Sequence, residues 1–224
     1  MASPTFSVRI ALDALQSPGF YWEPDPEIGK RASEPFEDIT TEAGLSFYEE
    51  TILNDNRIAE VLESSEQCNL TAYRTFAPDP TRIFQFRRGG KTAGCILVTL
   101  LWPPGSEVIY YLDSREHDFP AVASDNGLWR VPEAAVTKVG CSRVSISLDH
   151  GGLTIQDGRT MVKFVRGNPI AASFASDEFL RHWNWEKKTY LTTAQMEQKM
   201  TSSGNGKFTL YAKFVRPTVA DNCE

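Results

Sequence analysis

The segment 144–174, VSISLDHGGLTIQDGRTMVKFVRGNPIAASF, decides the fold because apolar and polar residues alternate in it between short turns. Strict alternation occupies 144–148, and apolar runs resume after the glycines at 151–152 and again at 161–165 and 170–174. Period-two alternation interrupted by Gly, Asn, Asp and Pro is typical of antiparallel sheet. The segment therefore predicts a mainly β protein, an antiparallel β-barrel or jelly roll whose mouth commonly holds a small molecule.

The same patterns extend outward in both directions along the chain. The predicted strands are 69–76, 82–87, 94–102, 107–112, 143–148, 153–156, 160–165, 170–175 and 208–215. Near 8–15 we expect a short strand or helix, followed by an extended arm. Helical spacing predicts helices from Glu42 (capped by Thr40 or Thr41), over 57–66, from a cap at Asp177 to Lys187, and from a cap at Thr193 to Met200.

We interpret residues 1–224 as a single domain. In it an acidic N-terminal arm and helices (1–68) pack on a barrel (69–215) that carries a helical insertion (177–200), and 216–224 form a tail. Residues 1–66 hold 14 acidic against 4 basic side chains, and the formal net charge of the chain is −6. This charge predicts no affinity for nucleic acid or anionic membrane. No stretch reaches the roughly 20 apolar residues that span a bilayer, and the start is a poor signal peptide. We therefore expect a cytoplasmic protein, for which a homodimer is compatible with the sequence.

Three elements in order resemble the phytanoyl-CoA dioxygenase family. They are the apolar run Ile96–Trp102, the sequence Leu112-Asp113-Ser114-Arg115, and Gly151-Gly152-Leu153-Thr154-Ile155-Gln156-Asp157-Gly158-Arg159. The likeness covers residues 80–175 and is carried by order and spacing. It implies a double-stranded β-helix of the cupin-like kind with flanking helices. In that family an HxD pair and a distal His hold Fe(II), with 2-oxoglutarate as cosubstrate.

The resemblance implies a member without iron ligands. Phe84-Gln85-Phe86 stands where the family has its HxD pair, Val162 stands at the distal histidine, and Arg115 stands at the histidine of a PGSH element. We therefore predict no metal and no cofactor. A rival alignment makes His150 the distal ligand and Arg159 the 2-oxoglutarate arginine, but it also lacks the HxD pair.

We predict a site in the barrel interior, because alternate residues of a closed sheet must face one concave space. Arg159 and His117 are the predicted catalytic residues, since a guanidinium can orient a carboxylate and an imidazole titrates near neutral pH. Arg159 paired with Asp157, and His117 as a solvated loop residue, are the structural alternatives. The predicted substrate-binding residues are Tyr73, Phe84, Phe86, Trp102, Tyr111, Trp129, Met161 and Lys163.

Three functions remain open at this point. The first is a metal-independent enzyme on a hydrophobic small molecule, a cyclase, isomerase or pericyclase of fungal-type secondary metabolism, in which shape and a few donors hold the reactive conformation. The second is a non-catalytic binding protein or accessory pseudo-oxygenase. The third is an Fe(II)/2-oxoglutarate oxygenase with unconventional ligands.

Overall fold

The computed structural model describes residues 6–90 and 94–216, and most of its strands form two six-stranded sheets. Sheet A has the order β1-β9-β4-β11-β2-β13, sheet B has the order β6-β7-β3-β10-β5-β8, and β12 pairs with β14. The strands are β1 Phe20–Pro24, β2 Asn69–Thr75, β3 Ile83–Gln85, β4 Leu97–Trp102, β5 Ser106–Tyr111, β6 Val122–Ala123, β7 Trp129–Val131, β8 Arg143–Leu148, β9 Gly152–Asp157, β10 Met161–Arg166, β11 Ile170–Ala175, β12 Lys188–Leu191, β13 Thr209–Leu210 and β14 Ala212–Val215.

The central strands of the two sheets form a jelly roll. The order β9-β4-β11-β2 in sheet A faces β3-β10-β5-β8 in sheet B, and every pairing within these two sets is antiparallel. From β8 to β11 the chain crosses from one sheet to the other at each turn, which is the winding of a double-stranded β-helix. The predicted fold class is confirmed, and the eight strands predicted between 69 and 175 are present within a few residues of their predicted ranges.

Most of the helices cover the outer face of sheet A. The helices are α1 Val8–Gln16, α2 Pro26–Ala32, α3 Glu42–Tyr48, α4 Asn56–Ser64, α5 Glu133–Val139, α6 Asp177–His182 and α7 Ala194–Ser202, with a π-helical turn at Glu49–Leu53. The helix α5 lies against sheet B, and α6 packs Phe179 and Leu180 onto the layer between the sheets. The predicted caps Thr41 and Thr193 are confirmed, since each hydroxyl accepts a hydrogen bond from the backbone N–H three residues further along the chain. Among the described residues no helix is long and apolar enough to cross a membrane.

Several predicted elements need correction. Ser176, not Asp177, caps α6, and the helix ends at His182 instead of Lys187 because β12 starts at Lys188. The predicted strand 208–215 divides, since β13 pairs with β2 whereas β14 turns away to β12. The predicted extended arm contains α2 and β1, and β1 pairs with β9 at the edge of sheet A. The strands β6 and β7 and the helix α5 were not predicted.

Three apolar layers result from this arrangement. One lies between the helices and sheet A, one between the two sheets, and one on the outer face of sheet B beneath α5. The layer between the sheets is filled by aromatic rings. Phe76 stacks on Phe164 with ring centroids 5.4 Å apart, and Phe20 stacks on Tyr110 at 4.0 Å. The space between the sheets is therefore packed at its centre, and a ligand can enter only at its edge.

Candidate functional site

The centre of the barrel is a closed, hydrogen-bonded cluster. The indole Nε1 of Trp102 donates to Thr154 Oγ1 at 2.9 Å, and the hydroxyl of Tyr110 lies 3.0 Å from the same oxygen. None of the three residues is exposed, and burial raises the pKa of Tyr110 well above its ordinary value. Trp102 was predicted to bind substrate, but it lies in this cluster and lines no open space.

A cavity of about 280 Å³ opens where β2 and β11 approach the loop before β7, and we call it the mouth pocket. Two residues predicted for substrate binding, Phe86 and Trp129, lie in its wall. Phe86 meets Phe76 edge-on at 5.4 Å, so these two rings separate the pocket from the filled interior. The pocket is lined by Thr71, Ala72, Arg74, Phe76, Phe86, Ile96, Gly127, Leu128, Trp129, Ala171, Ser173, Trp185 and Lys188.

Two cationic side chains share the mouth pocket. Arg74 lies opposite Ala171 in the strand register, and its Nη1 donates to the carbonyl oxygen of Asn126 at 2.8 Å. The ammonium of Lys188 lies 4.7 Å from the centre of the Tyr190 ring. Burial lowers the pKa of Lys188, the negative charge of Asp38 opposes this shift, and the positive charge of Arg74 adds to it. Neither cation has a carboxylate at ion-pair distance among the described residues.

Gly127 leaves room for the guanidinium of Arg74 in the pocket wall. It has a φ of +78°, in the left-handed region, and a Cβ built on it would lie 2.6 Å from Nη1 of Arg74. The turn around it is closed by a hydrogen bond from the backbone N–H of Ser124 to the carbonyl oxygen of Leu128 at 2.9 Å. A side chain at this position would displace the guanidinium from the pocket wall.

Three residues predicted to line the interior point the other way. Met161 pairs with Tyr111, and both belong to the cluster on the outer face of sheet B. Lys163 lies two residues further along β10 and shares that face, whereas Val162 and Phe164 point between the sheets. The prediction chose the wrong one of the two alternating faces. On sheet A, Tyr73 likewise points outward and meets Tyr48 edge-on at 5.6 Å.

Arg159 and His117 lie outside the mouth pocket. The guanidinium of Arg159 forms a buried pair with Asp157, with Nη2 to Oδ2 at 2.6 Å and Nε to Oδ1 at 3.0 Å. Hydrogen bonding to Asp157 raises the pKa of Arg159. His117 is exposed on a loop and contacts only the edge of Phe119 among the rings, at 5.8 Å. This geometry matches the structural alternatives for both residues, and their catalytic roles remain predictions without a test.

The residues at the ligand positions of the resembled family do not fit a metal. Phe84 and Val162 are paired across β3 and β10 and buried in the aromatic layer, and Phe86 is beside them. Within 6–90 and 94–216 no three His, Cys, Asp or Glu residues come together as a metal site. His150 and Arg159, the pair of the rival alignment, lie at opposite ends of β9. At 3.3–3.4 Å per residue they are roughly 17 Å or more apart, too far to serve one centre.

Two solved structures share this fold. The epimerase SnoN in complex with Fe3+, α-ketoglutarate and nogalamycin RO superposes with a TM-score of 0.50 and 14% sequence identity, over 75% of this chain and 83% of its own. HygX from Streptomyces hygroscopicus with iron bound superposes with a TM-score of 0.50 and 13% sequence identity, over 84% of this chain and 93% of its own. No family model matches the sequence, and no curated protein does. At these identities the likeness shows the fold alone, a double-stranded β-helix.

Proposed function

We propose that this protein is a metal-independent enzyme, an isomerase or cyclase that acts on a hydrophobic small molecule in the mouth pocket. The observation that carries the proposal is the pocket itself, in which aromatic walls surround two cations that have no carboxylate at ion-pair distance within 6–90 and 94–216. Apolar walls with a few polar groups are typical of small-molecule sites. The apolar residues at Phe84, Phe86 and Val162 support metal independence. The epimerase SnoN shares the fold, which is compatible with an isomerisation on this scaffold, but its structure holds Fe3+ and α-ketoglutarate, whereas our proposal uses no metal.

The chemistry available in the pocket is electrostatic. Rearrangements and epimerisations next to a carbonyl develop negative charge on its oxygen. Arg74 and Lys188 can stabilise that charge, because hydrogen bonds to ionised donors are strong in a water-poor site. Lys188 is also the one proton-transfer group among the residues that line the pocket, and its lowered pKa makes its ammonium a better proton donor to that oxygen. The walls of Trp129 and Trp185 would hold the substrate near its reactive conformation.

A non-catalytic binding protein is the second candidate. The lining residues contain no carboxylate and no imidazole, so proton transfer rests on one lysine. A binding or accessory protein needs no such group. Turnover separates the two, since an accessory protein binds the same ligand without converting it.

Matched tryptophan variants test the pocket. Trp185 lines the mouth pocket, whereas Trp183, two residues earlier, is 43% exposed and lies against Arg87 outside it. A metabolite library is screened by the shift in melting temperature. A ligand at 100 times its Kd adds about 2.7 kcal/mol, or about 5–10 °C for a chain of this size. Trp185→Ala should abolish the shift and Trp183→Ala should keep it; equal shifts in the two variants would place the site elsewhere.

Iron content tests metal independence. We expect anaerobically purified protein, supplied with Fe(II) and 2-oxoglutarate, to retain far less than one iron per chain. His117→Ala and His150→Ala should leave the iron content unchanged. One iron per chain, lost in either variant, would show that the protein is an oxygenase with unconventional ligands.

A further inference from the structure

We infer that the mouth pocket binds an organic carboxylate, with Arg74 and Lys188 as its two charge partners and the tryptophan walls around its apolar body. The inference rests on the proposed function only in taking the mouth pocket as the ligand site, and it names the class of ligand. It holds equally for an enzyme and for a binding protein.

The first support is the charge balance of the pocket. Both cations are half-buried, and the part of the chain that the structure describes offers neither of them a carboxylate at ion-pair distance. By comparison, the half-buried Arg57 is paired with Asp25 and Asp55 at 2.8 and 2.6 Å, whereas the buried Arg87 lies against a backbone oxygen and two aromatic rings. The charge of Asp38 acts on Lys188 more strongly than the repulsion from Arg74 does, but Asp38 forms no described ion pair with either cation. A bound carboxylate within hydrogen-bond distance of both would stabilise both charges directly.

The second support is the set of free donors on Arg74. Arginine has five N–H donors in a planar fork, and the described contacts of Arg74 use one of them, on the carbonyl oxygen of Asn126. That bond anchors Nη1 beside the turn, where Gly127 leaves room for the guanidinium. The planar fork of an arginine matches the two oxygens of a carboxylate. The remaining donors of Arg74 are therefore available to a carboxylate in the pocket.

The third support is the size and polarity of the remaining wall. The volume of about 280 Å³ lies near the lower limit of ordinary ligand pockets. Trp129 and Trp185 supply flat apolar surfaces, and Ser173 adds a hydroxyl opposite Ala72. These features favour a small, flat, partly aromatic acid over an extended chain or a polyanion.

Matched acids and amides test the inference. Benzoate, trans-cinnamate and 2-naphthoate are titrated by calorimetry into the purified chain, each beside its neutral amide. We expect at least one acid to bind at least tenfold more tightly than its amide, and its affinity to fall as salt rises. Arg74→Gln and Lys188→Gln should each weaken that acid about tenfold, which corresponds to about 1.4 kcal/mol. Arg74→Lys should recover part of the loss, and melting curves verify that every variant is folded.

Two control variants distinguish the loss of a pocket cation from the loss of any positive charge on the protein. Lys187→Ala removes the neighbouring lysine, whose ammonium lies over Tyr211 and lines no part of the pocket, and Arg82→Ala removes a surface arginine. Both controls should bind the acid as the wild type does. The inference is overturned if no acid binds, if acid and amide bind equally, or if the controls lose as much affinity as the pocket variants. The proposed function is judged separately by the Trp185 and Trp183 comparison, which needs no charged ligand.

Discussion

Replacing Arg159 with alanine removes one partner of a buried ion pair and leaves the other in place. Asp157 is 2% exposed, and its two oxygens accept hydrogen bonds from Nε and Nη2 of Arg159. Breaking a buried pair from one side costs about 3–5 kcal/mol, because the remaining charge stays buried. Arg115, whose Nη1 lies 3.7 Å from Asp157 Oδ2, offsets part of this loss, so we expect about 3 kcal/mol. At about 2–4 °C per kcal/mol the melting temperature falls by about 6–12 °C.

Calorimetry or a urea transition measures this loss, and ligand binding is measured on the same variant. Arg82→Ala is the matched control, because its pair with Asp79 is 3.6 Å long and half exposed, which limits the expected loss to less than about 1 kcal/mol. Arg159→Lys should lie between the wild type and Arg159→Ala, since it keeps the charge but not the fork. If Arg159→Ala folds with unchanged stability and loses activity or affinity, the residue is catalytic after all and the structural assignment is refuted.

Three further outcomes are expected. Gly127→Ala should lower the affinity for the carboxylate probes, because its Cβ would push Arg74 aside. Gly140→Ala is the control, since Gly140 has a similar φ of +80° but no atom within 4 Å of a built Cβ. This control strains only the backbone and should leave the affinity measured by calorimetry unchanged. Thr154→Val should lower the free energy of unfolding in urea by about 2–4 kcal/mol, because it leaves two buried aromatic donors without an acceptor; a loss below 1 kcal/mol would contradict this. Affinity for the carboxylate should decline as pH rises through the lowered pKa of Lys188, because the ammonium is then lost. Lys188→Arg should remove that decline up to about pH 10, since a guanidinium stays charged there. A wild-type affinity that does not change with pH would count against the role of this lysine.

The fold could be predicted because its signals are local. The alternation in 144–174 and the glycines at 151 and 167, both with positive φ, mark the ends of strands without reference to the rest of the chain. What could not be predicted depends on distant partners. The strand β1 is five residues long and forms only because β9 offers an edge more than 100 residues away, at Phe20↔Gln156. The short pair β6 and β7 depends in the same way on β3.

The candidate site was harder to predict, because alternation along a strand separates its two faces without indicating which face points into the barrel. On β10 a shift of one residue exchanges Met161 and Lys163 for Val162 and Phe164, and the sequence pattern leaves both choices open. Lys188 gave no signal, since it follows a segment predicted as helix. Arg74 gave a weak one, as the cation of an adjacent aromatic–cation pair, Tyr73-Arg74, on a predicted strand. Its role depends on the turn at Gly127, which no pattern near Arg74 reveals.

Phe86 connects the prediction of no metal with the mouth pocket. The resemblance would place this residue in a metal-binding pair; in the structure its ring packs against Phe76 and Phe164 and closes the interior. A metal centre would need polar donors and space where these rings now meet, so a single Phe86→His change would bury one unpartnered imidazole instead of restoring a triad. Phe76 and Phe86 also form the inner wall of the mouth pocket. Filling the interior therefore moves the accessible space outward, to the point where Arg74 and Lys188 supply the charge.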